Sequence, residues 1–172
     1  IAAGDRLKQQ WQDHRIIGVE PTQCPTLYAN GYGEHDIQGI GDKHVTWIHH
    51  VANMDALVCV DDLECKMGLQ LLTEEPGWNV LQKKHGVSEN VVAQMARIFG
   101  ISGVCNVLAA IKIAKFYGFK KDQVLATVCT DAIDRYHSVM ASLNECFGSM
   151  NEPAAEIRLT SIFHRQKTDS IC

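Results

Sequence analysis

Gly100-Ile101-Ser102-Gly103 places one serine between two glycines, directly ahead of an apolar run that continues to Phe119. Two kinds of chemistry fit that placement. The hydroxyl can cap the helix that follows, with the glycines permitting a tight bend. It can equally be presented to a ligand that needs a single neutral hydrogen-bond partner. A second candidate is "HDIQGIGDKH", residues 35–44, where Gly39 and Gly41 flank Ile40 and let the backbone come close to something flat. It is not a dinucleotide fingerprint, because His44 stands where the third glycine belongs. A third is Thr130-Asp131 in "TDAIDRY", after an apolar stretch. There Asp131 reads as a helix cap, and such strand-to-helix turns are also where an anion or a ring nitrogen is met.

Other constellations lead nowhere. His35, His44, His49 and His50, with Asp36 and Asp42, have side chains that suit zinc or iron, but their spacing matches no standard ligand set. They read as surface or capping residues, and no metal is expected. "GISGVC" lacks the spacing of a nucleophile elbow, which removes the serine hydrolases.

The elements that must position these residues alternate. Residues 1–12 read as a helix with Ile1, Leu7 and Trp11 toward one side. "RIIGVEP" reads as a short strand stopped by Pro21, and 21–36 as a loop. A short helix is expected over 43–51 and a second strand over "DALVCV". Asp61 is placed to cap "DDLECKMGLQLL", with Glu64 completing a capping box. Residues 73–88 read as an irregular interruption, and Ser88 as the cap of "ENVVAQMARIF". The serine turn follows, then a helix ending at Tyr117 and Gly118, a third strand over "QVLATVCT", and a last helix opened by Asp131. The tail from Asn144 has weak periodicity. Helices alternating with short apolar strands predict an α/β fold, a mainly parallel sheet with helices on both faces. Ligands gather at the carboxyl ends of such strands, here Glu20, Val60-Asp61 and Thr130-Asp131, with the Ser102 turn beside them.

The chain has 172 residues and a formal charge of -4, with its lysines and arginines dispersed. One domain fits that length, and the scattered cations argue against a nucleic-acid surface. No apolar run reaches the roughly 18 residues of a membrane span. Seven cysteines occur without C-x-x-C spacing. Cys59, Cys105 and Cys129 sit in apolar segments and read as reduced core residues, which predicts a cytoplasmic or organelle-matrix protein. The chain opens on Ile rather than Met, with no basic start or hydrophobic block, so no signal peptide is expected and an upstream segment is.

Taken in order, "RIIGVEP", "HDIQGIG", the strand leading into "VDDLE", "GISG" and "TDAIDRY" resemble the carboxyl-terminal half of the cysteine synthase and cystathionine beta-synthase family. Those are pyridoxal-phosphate enzymes of fold type II, whose usual wording is close to "VGVEP", "KIQGIG", "VSDDEA", "GISSGA" and "LPDSVRNY". The likeness covers about residues 1–143, leaving 144–172 as a carboxyl-terminal tail. It implies that Ser102 hydrogen-bonds the pyridine nitrogen of pyridoxal 5'-phosphate. A neutral hydroxyl does not hold that nitrogen as a cation, so the ring is a milder electron sink. It further implies that Gly39 lies against the cofactor side of the cleft, with Thr130 and Asp131 near the ring nitrogen.

The departures are informative. "GISSGA" is "GISGVC", "GIGAGF" is "GIGDKH", and an insertion spans about 74–94. The family's Schiff-base lysine and phosphate loop have no counterpart, and Lys43, Lys112 and Lys115 lie outside any lysine motif of that kind, so no catalytic residue is assigned. The resemblance therefore implies the carboxyl-terminal portion of a β-replacement or β-elimination enzyme acting on serine or cysteine derivatives. Such a portion should be inactive without its amino-terminal half and should work as a homodimer. A serine or threonine deaminase is the alternative within the family. A non-catalytic module binding through an exposed sheet edge is the alternative outside it.

Overall fold

The computed structural model describes residues 2–40 and 43–172. Ile1, Gly41 and Asp42, all named above, lie outside them. The elements are α1 (Ala2–Gln10), β1 (Ile17–Pro21), β2 (Ala56–Val60), α2 (Asp62–Thr73), α3 (Glu75–Lys83), α4 (Glu89–Ile98), α5 (Ile101–Phe116), α6 (His137–Phe147) and α7 (Glu152–Arg158). Single 3₁₀ turns occupy Val51–Asn53 and Ile133–Arg135, and a π-helical stretch Leu159–His164 continues α7.

β1 and β2 pair in parallel, Ile17 opposite Ala56 through Pro21 opposite Val60. This is the expected α/β arrangement with a parallel sheet. All five residues of β2 are buried, as an apolar parallel strand requires. Pro21 is the last residue of β1, and its missing N–H costs no bond to β2, because Thr22 N makes the closing one to Val60 O at 2.9 Å.

Helix α5 packs on β2, and α2 packs on α5. Gly68 permits that second contact, since a methyl there would meet Val104 Cγ1 at 3.0 Å. Asp61 caps α2 as expected, its carboxylate accepting from Glu64 N at 3.0 Å. The Glu64 carboxylate is used elsewhere and accepts from Gln166 Nε2 at 2.7 Å. Helix α5 closes as read from the sequence. Gly118 takes φ +63°, and Phe119 N donates to Ala114 O at 2.8 Å, the left-handed C-cap that glycine serves.

Four expectations are corrected. Residues 43–50 form turns rather than a helix. Val45, Thr46 and Ile48 are poor helix formers, and Thr46 N donates to the His49 ring at 2.8 Å instead. Residues 75–83 are helical. Pro76 stands in the first turn of α3, where its missing N–H costs nothing, and Gly77 lets that turn lie against the Leu71 carbonyl. Residues 123–130 have no regular secondary structure and pair with no strand among the described residues, and they are exposed, Val124 by 90% and Val128 by 63%. Cys129 is exposed with them, whereas Cys59 and Cys105 are core residues.

The carboxyl-terminal segment docks on the second edge of β2. Leu57 N donates to Cys172 O at 2.8 Å, and Cys59 N donates to Ser170 O at 2.9 Å. Two lysines of α5 hold it there. Lys112 is 5% exposed, and its ammonium donates to Cys59 O at 2.8 Å and meets Asp169 at 3.1 Å. Lys115 donates to the carbonyls of His164 and Gln166. Deeper in, Arg158 donates to Gln70, whose amide reaches Glu74 and Asn144. This network ties α7 and α6 to α2. Among the described residues no single helix is long and apolar enough to cross a membrane.

Lys112→Ala leaves a strand carbonyl and Asp169 without their cation. It should lower stability in urea unfolding by about 1–3 kcal/mol. The cysteines give an independent check. Burial pushes the Cys59 thiol up to about 12, with the Glu20 charge adding to it. Burial, then contact with Cys105, raises Cys65 as well. Alkylation of the native protein at neutral pH should therefore mark Cys129, Cys146 and Cys172, and spare Cys24, Cys59, Cys65 and Cys105. Peptide mass mapping reads the pattern.

Candidate functional site at the head of helix α5

The strand ends offer fewer free groups than the topology promised. The buried Glu20 carboxylate accepts from Leu27 N and Tyr28 N, the latter at 2.7 Å, and so folds the loop after β1. Asp61 caps α2 and also accepts from Gln23 Nε2 at 2.7 Å. Both carboxylates are committed to holding backbone.

Ser102 is different. Helix α5 begins at Ile101 with Gly100 as its N-cap, and no side chain caps it. The capping role considered for Ser102 is therefore not the one it takes. It stands in the first turn, 3% exposed, and its Oγ lies 3.1 Å from Thr130 Oγ1. Asn106, one turn further along α5, donates to Val128 O at 2.9 Å. These bonds fasten the 123–130 segment to the first turns of α5.

Asp131 was expected to open the last helix and does not. A 3₁₀ turn intervenes, α6 starts at His137, and the hydroxyl of the buried Tyr136 donates to Asp131 Oδ2. The other oxygen, Oδ1, is buried without a hydrogen-bond partner and packs against Gly100, whose missing side chain leaves the room. A carboxylate at the N-terminal end of a 16-residue helix is favoured by the helix dipole, which offsets part of the cost of the unsatisfied oxygen. Burial, then the bond to Asp131, pushes the Tyr136 phenol well above its ordinary value, so it stays a proton donor.

Three of the four site residues read from the sequence thus come together: Ser102, Thr130 and Asp131. Gly39 lies on a separate, exposed loop. Its φ is +92°, with open space where a side chain would stand. The sequence reading missed Gly100 and Tyr136 as members of the cluster. Tyr136 was visible only as the end of "TDAIDRY", and nothing in a spacing of five residues announces a hydroxyl-to-carboxylate bond. The histidines do local work. His35 accepts from Ile37 N at 3.2 Å, and His50 lies 3.3 Å from Asp5. Among the described residues no group of three or more metal-ligating side chains is placed to hold an ion. Two concavities among the described residues, about 100 Å³ beside β1 and about 470 Å³ along α5, do not include Ser102 in their walls.

No family model matches the chain. It is 28% identical over 135 residues to cysteine synthase B of Campylobacter jejuni, which covers 78% of this chain and 38% of that protein. Among solved structures it superposes on the cysteine synthase of Entamoeba histolytica with a TM-score of 0.65 at 20% identity, covering 95% of this chain and 41% of that one. A hydrogen sulfide-producing enzyme of Fusobacterium nucleatum gives 0.61 at 23% identity, covering 90% and 39%.

Gly100→Ala should drive a methyl into Asp131 and the Tyr136 ring. The expected cost is about 1–3 kcal/mol. Combined with Asp131→Ala, the cost should fall below the sum of the two single changes, and denaturant titration of the cycle reads that coupling. The chain spans about two fifths of the length of the proteins it matches, shares its fold with those structures, and resembles the carboxyl-terminal portion of a cysteine synthase.

Proposed function

We propose that this chain is the carboxyl-terminal portion of a pyridoxal-phosphate-dependent β-replacement or β-elimination enzyme acting on serine or cysteine derivatives. The observation that carries the reading is the hydrogen-bonded pair of the buried Ser102 hydroxyl and the Thr130 hydroxyl at the head of α5. It stands where the resemblance to cysteine synthases calls for a partner to the pyridine nitrogen. The residues fit that group. A ring nitrogen needs one neutral hydrogen-bond partner, and a serine hydroxyl can either donate or accept. The carboxylate of Asp131 is held by Tyr136 on one oxygen and packed against Gly100 with the other, so its charge is not offered to the ring nitrogen. When bound, pyridoxal phosphate supplies the electron sink for bond breaking at the α and β carbons of an amino acid. Ser102 would fix the ring's edge and keep it a mild sink, and Gly39 would leave room along the cleft.

The lysine that moves the α proton lies outside this chain. Lys112 and Lys115 hold the carboxyl-terminal segment, and Lys43 faces Glu34 at the surface. The exposed apolar stretch Val124–Val128, which pairs with no strand among the described residues, supports the presence of further chain that covers it. A homodimer and a cytoplasmic location belong to the same reading.

The test starts from the intact mass of the natural protein and its amino-terminal sequence. A longer chain, or a second chain bearing the lysine, is expected. With it, O-acetylserine and sulfide should yield cysteine, while the 172 residues alone should neither turn over nor show a bound-cofactor absorbance band. A natural protein of 172 residues that never acquires activity from a lysine-bearing partner would sink the reading in favour of a non-catalytic module.

A further inference from the structure

We propose that Tyr136 is a positioning residue that acts on Ser102 through Asp131 and Thr130, so that Asp131 orients the site without touching the ligand. This rests on the cofactor reading above and gives Asp131 and Thr130 different work from the direct contacts implied by resemblance.

The geometry runs in one line. The Tyr136 ring is buried in the core, and its hydroxyl donates to Asp131 Oδ2. Asp131 Oδ1 is closed off from solvent and lies against Gly100, the N-cap of α5. One oxygen is engaged by Tyr136 and the other, though without a hydrogen-bond partner, is closed to solvent, so neither is open to a ligand from outside. What the clamp does is press the 130–131 corner onto the first turn of α5. Thr130 is the adjoining residue, and its hydroxyl is the one that meets Ser102 Oγ at 3.1 Å. A serine hydroxyl has one donor and two acceptor sites and rotates freely unless held. Thr130 occupies one of those sites, which leaves Ser102 a restricted set of directions for a ring nitrogen. Thr130 is itself exposed, so burial does not fix its side chain, and the clamp beneath it supplies the restraint.

The test uses the protein as isolated, together with any chain that completes it, and reads the dissociation constant of pyridoxal 5'-phosphate by its absorbance and fluorescence. Tyr136→Phe removes only the hydroxyl, and Thr130→Val only the Thr130 hydrogen bond. Each should weaken binding by about three- to tenfold, the size of one lost hydrogen bond. Thr130→Ser should restore wild-type affinity. The deciding measurement is the double variant. Because both residues act through the same bond, Tyr136→Phe with Thr130→Val should bind no worse than Thr130→Val alone. Additive losses, or variants that match the wild type, overturn the proposal while leaving the cofactor reading intact. Absence of saturable binding by the wild type assembled with its lysine-bearing part overturns both. If Tyr136→Phe fails to fold, Asp131→Asn loosens the same clamp while keeping an acceptor, and it must show the same non-additivity with Thr130→Val.

Discussion

A parallel strand with five consecutive buried residues has to be covered on two faces and along two edges, and β2 sets that demand for the whole chain. β1 takes one edge. The carboxyl-terminal segment takes the other through the Leu57–Cys172 and Cys59–Ser170 bonds. Helix α5 lies across the strand, and α2 is pinned to α5 at the close contact between Gly68 and Val104. Lys112 shows how tightly these solutions are coupled. Its ammonium leaves the buried side of α5, satisfies a β2 carbonyl and ends at Asp169 on the docking segment. A buried cation is acceptable only with such partners, so helix, strand and tail are held by one side chain.

The same strand explains what the sequence disclosed and what it hid. β1, β2, α2, α4 and α5 were legible because their signals are local: short apolar runs, the Asp61 cap, the helical spacing over 101–116. The 123–130 segment carries an equally good local signal and is not a strand. Apolar composition makes a residue fit for a sheet, but only a neighbour's backbone makes it a strand, and no neighbour stands there among the described residues. The error over 75–83 has the opposite origin. "TEEPGW" reads as punctuation, yet proline in the first turn and a glycine against a carbonyl build a sharp corner between two helices. The tail gave little signal because its order comes from Lys112, Lys115 and Arg158, all distant in sequence from the backbone or side chains they bind.

The candidate site shows the same division. Ser102 could be singled out because glycines on both sides of a serine are unusual in front of a helix. Its two structural explanations could be weighed but not separated. The structure sets aside the cap: Gly100 is the N-cap, no side chain caps α5, and the Ser102 hydroxyl meets Thr130. Resemblance then supplied the ligand's identity, which no spacing rule contains. Gly39 marks the limit of that route. Its positive φ justifies a glycine at that position, but its loop is held by bonds of its own, such as Ile37 N to the His35 ring at 3.2 Å, and not by the head of α5.

The arrangement of charge at that head follows from electrostatics. Asp131 and Ser102 flank the same helix N-terminus, where a negative group is favoured. Had the carboxylate faced the cleft, it would have been the natural partner of a ring nitrogen and would have held it as a cation. Gly100 gives one carboxylate oxygen a seat closed to solvent, and the Tyr136 hydroxyl engages the other. The neutral group left beside the helix end is the Ser102 hydroxyl, which meets Thr130. On the proposed reading a ring nitrogen would meet that hydroxyl and not the anion, and the residue that makes the room is the glycine, which has no side chain to contribute at all.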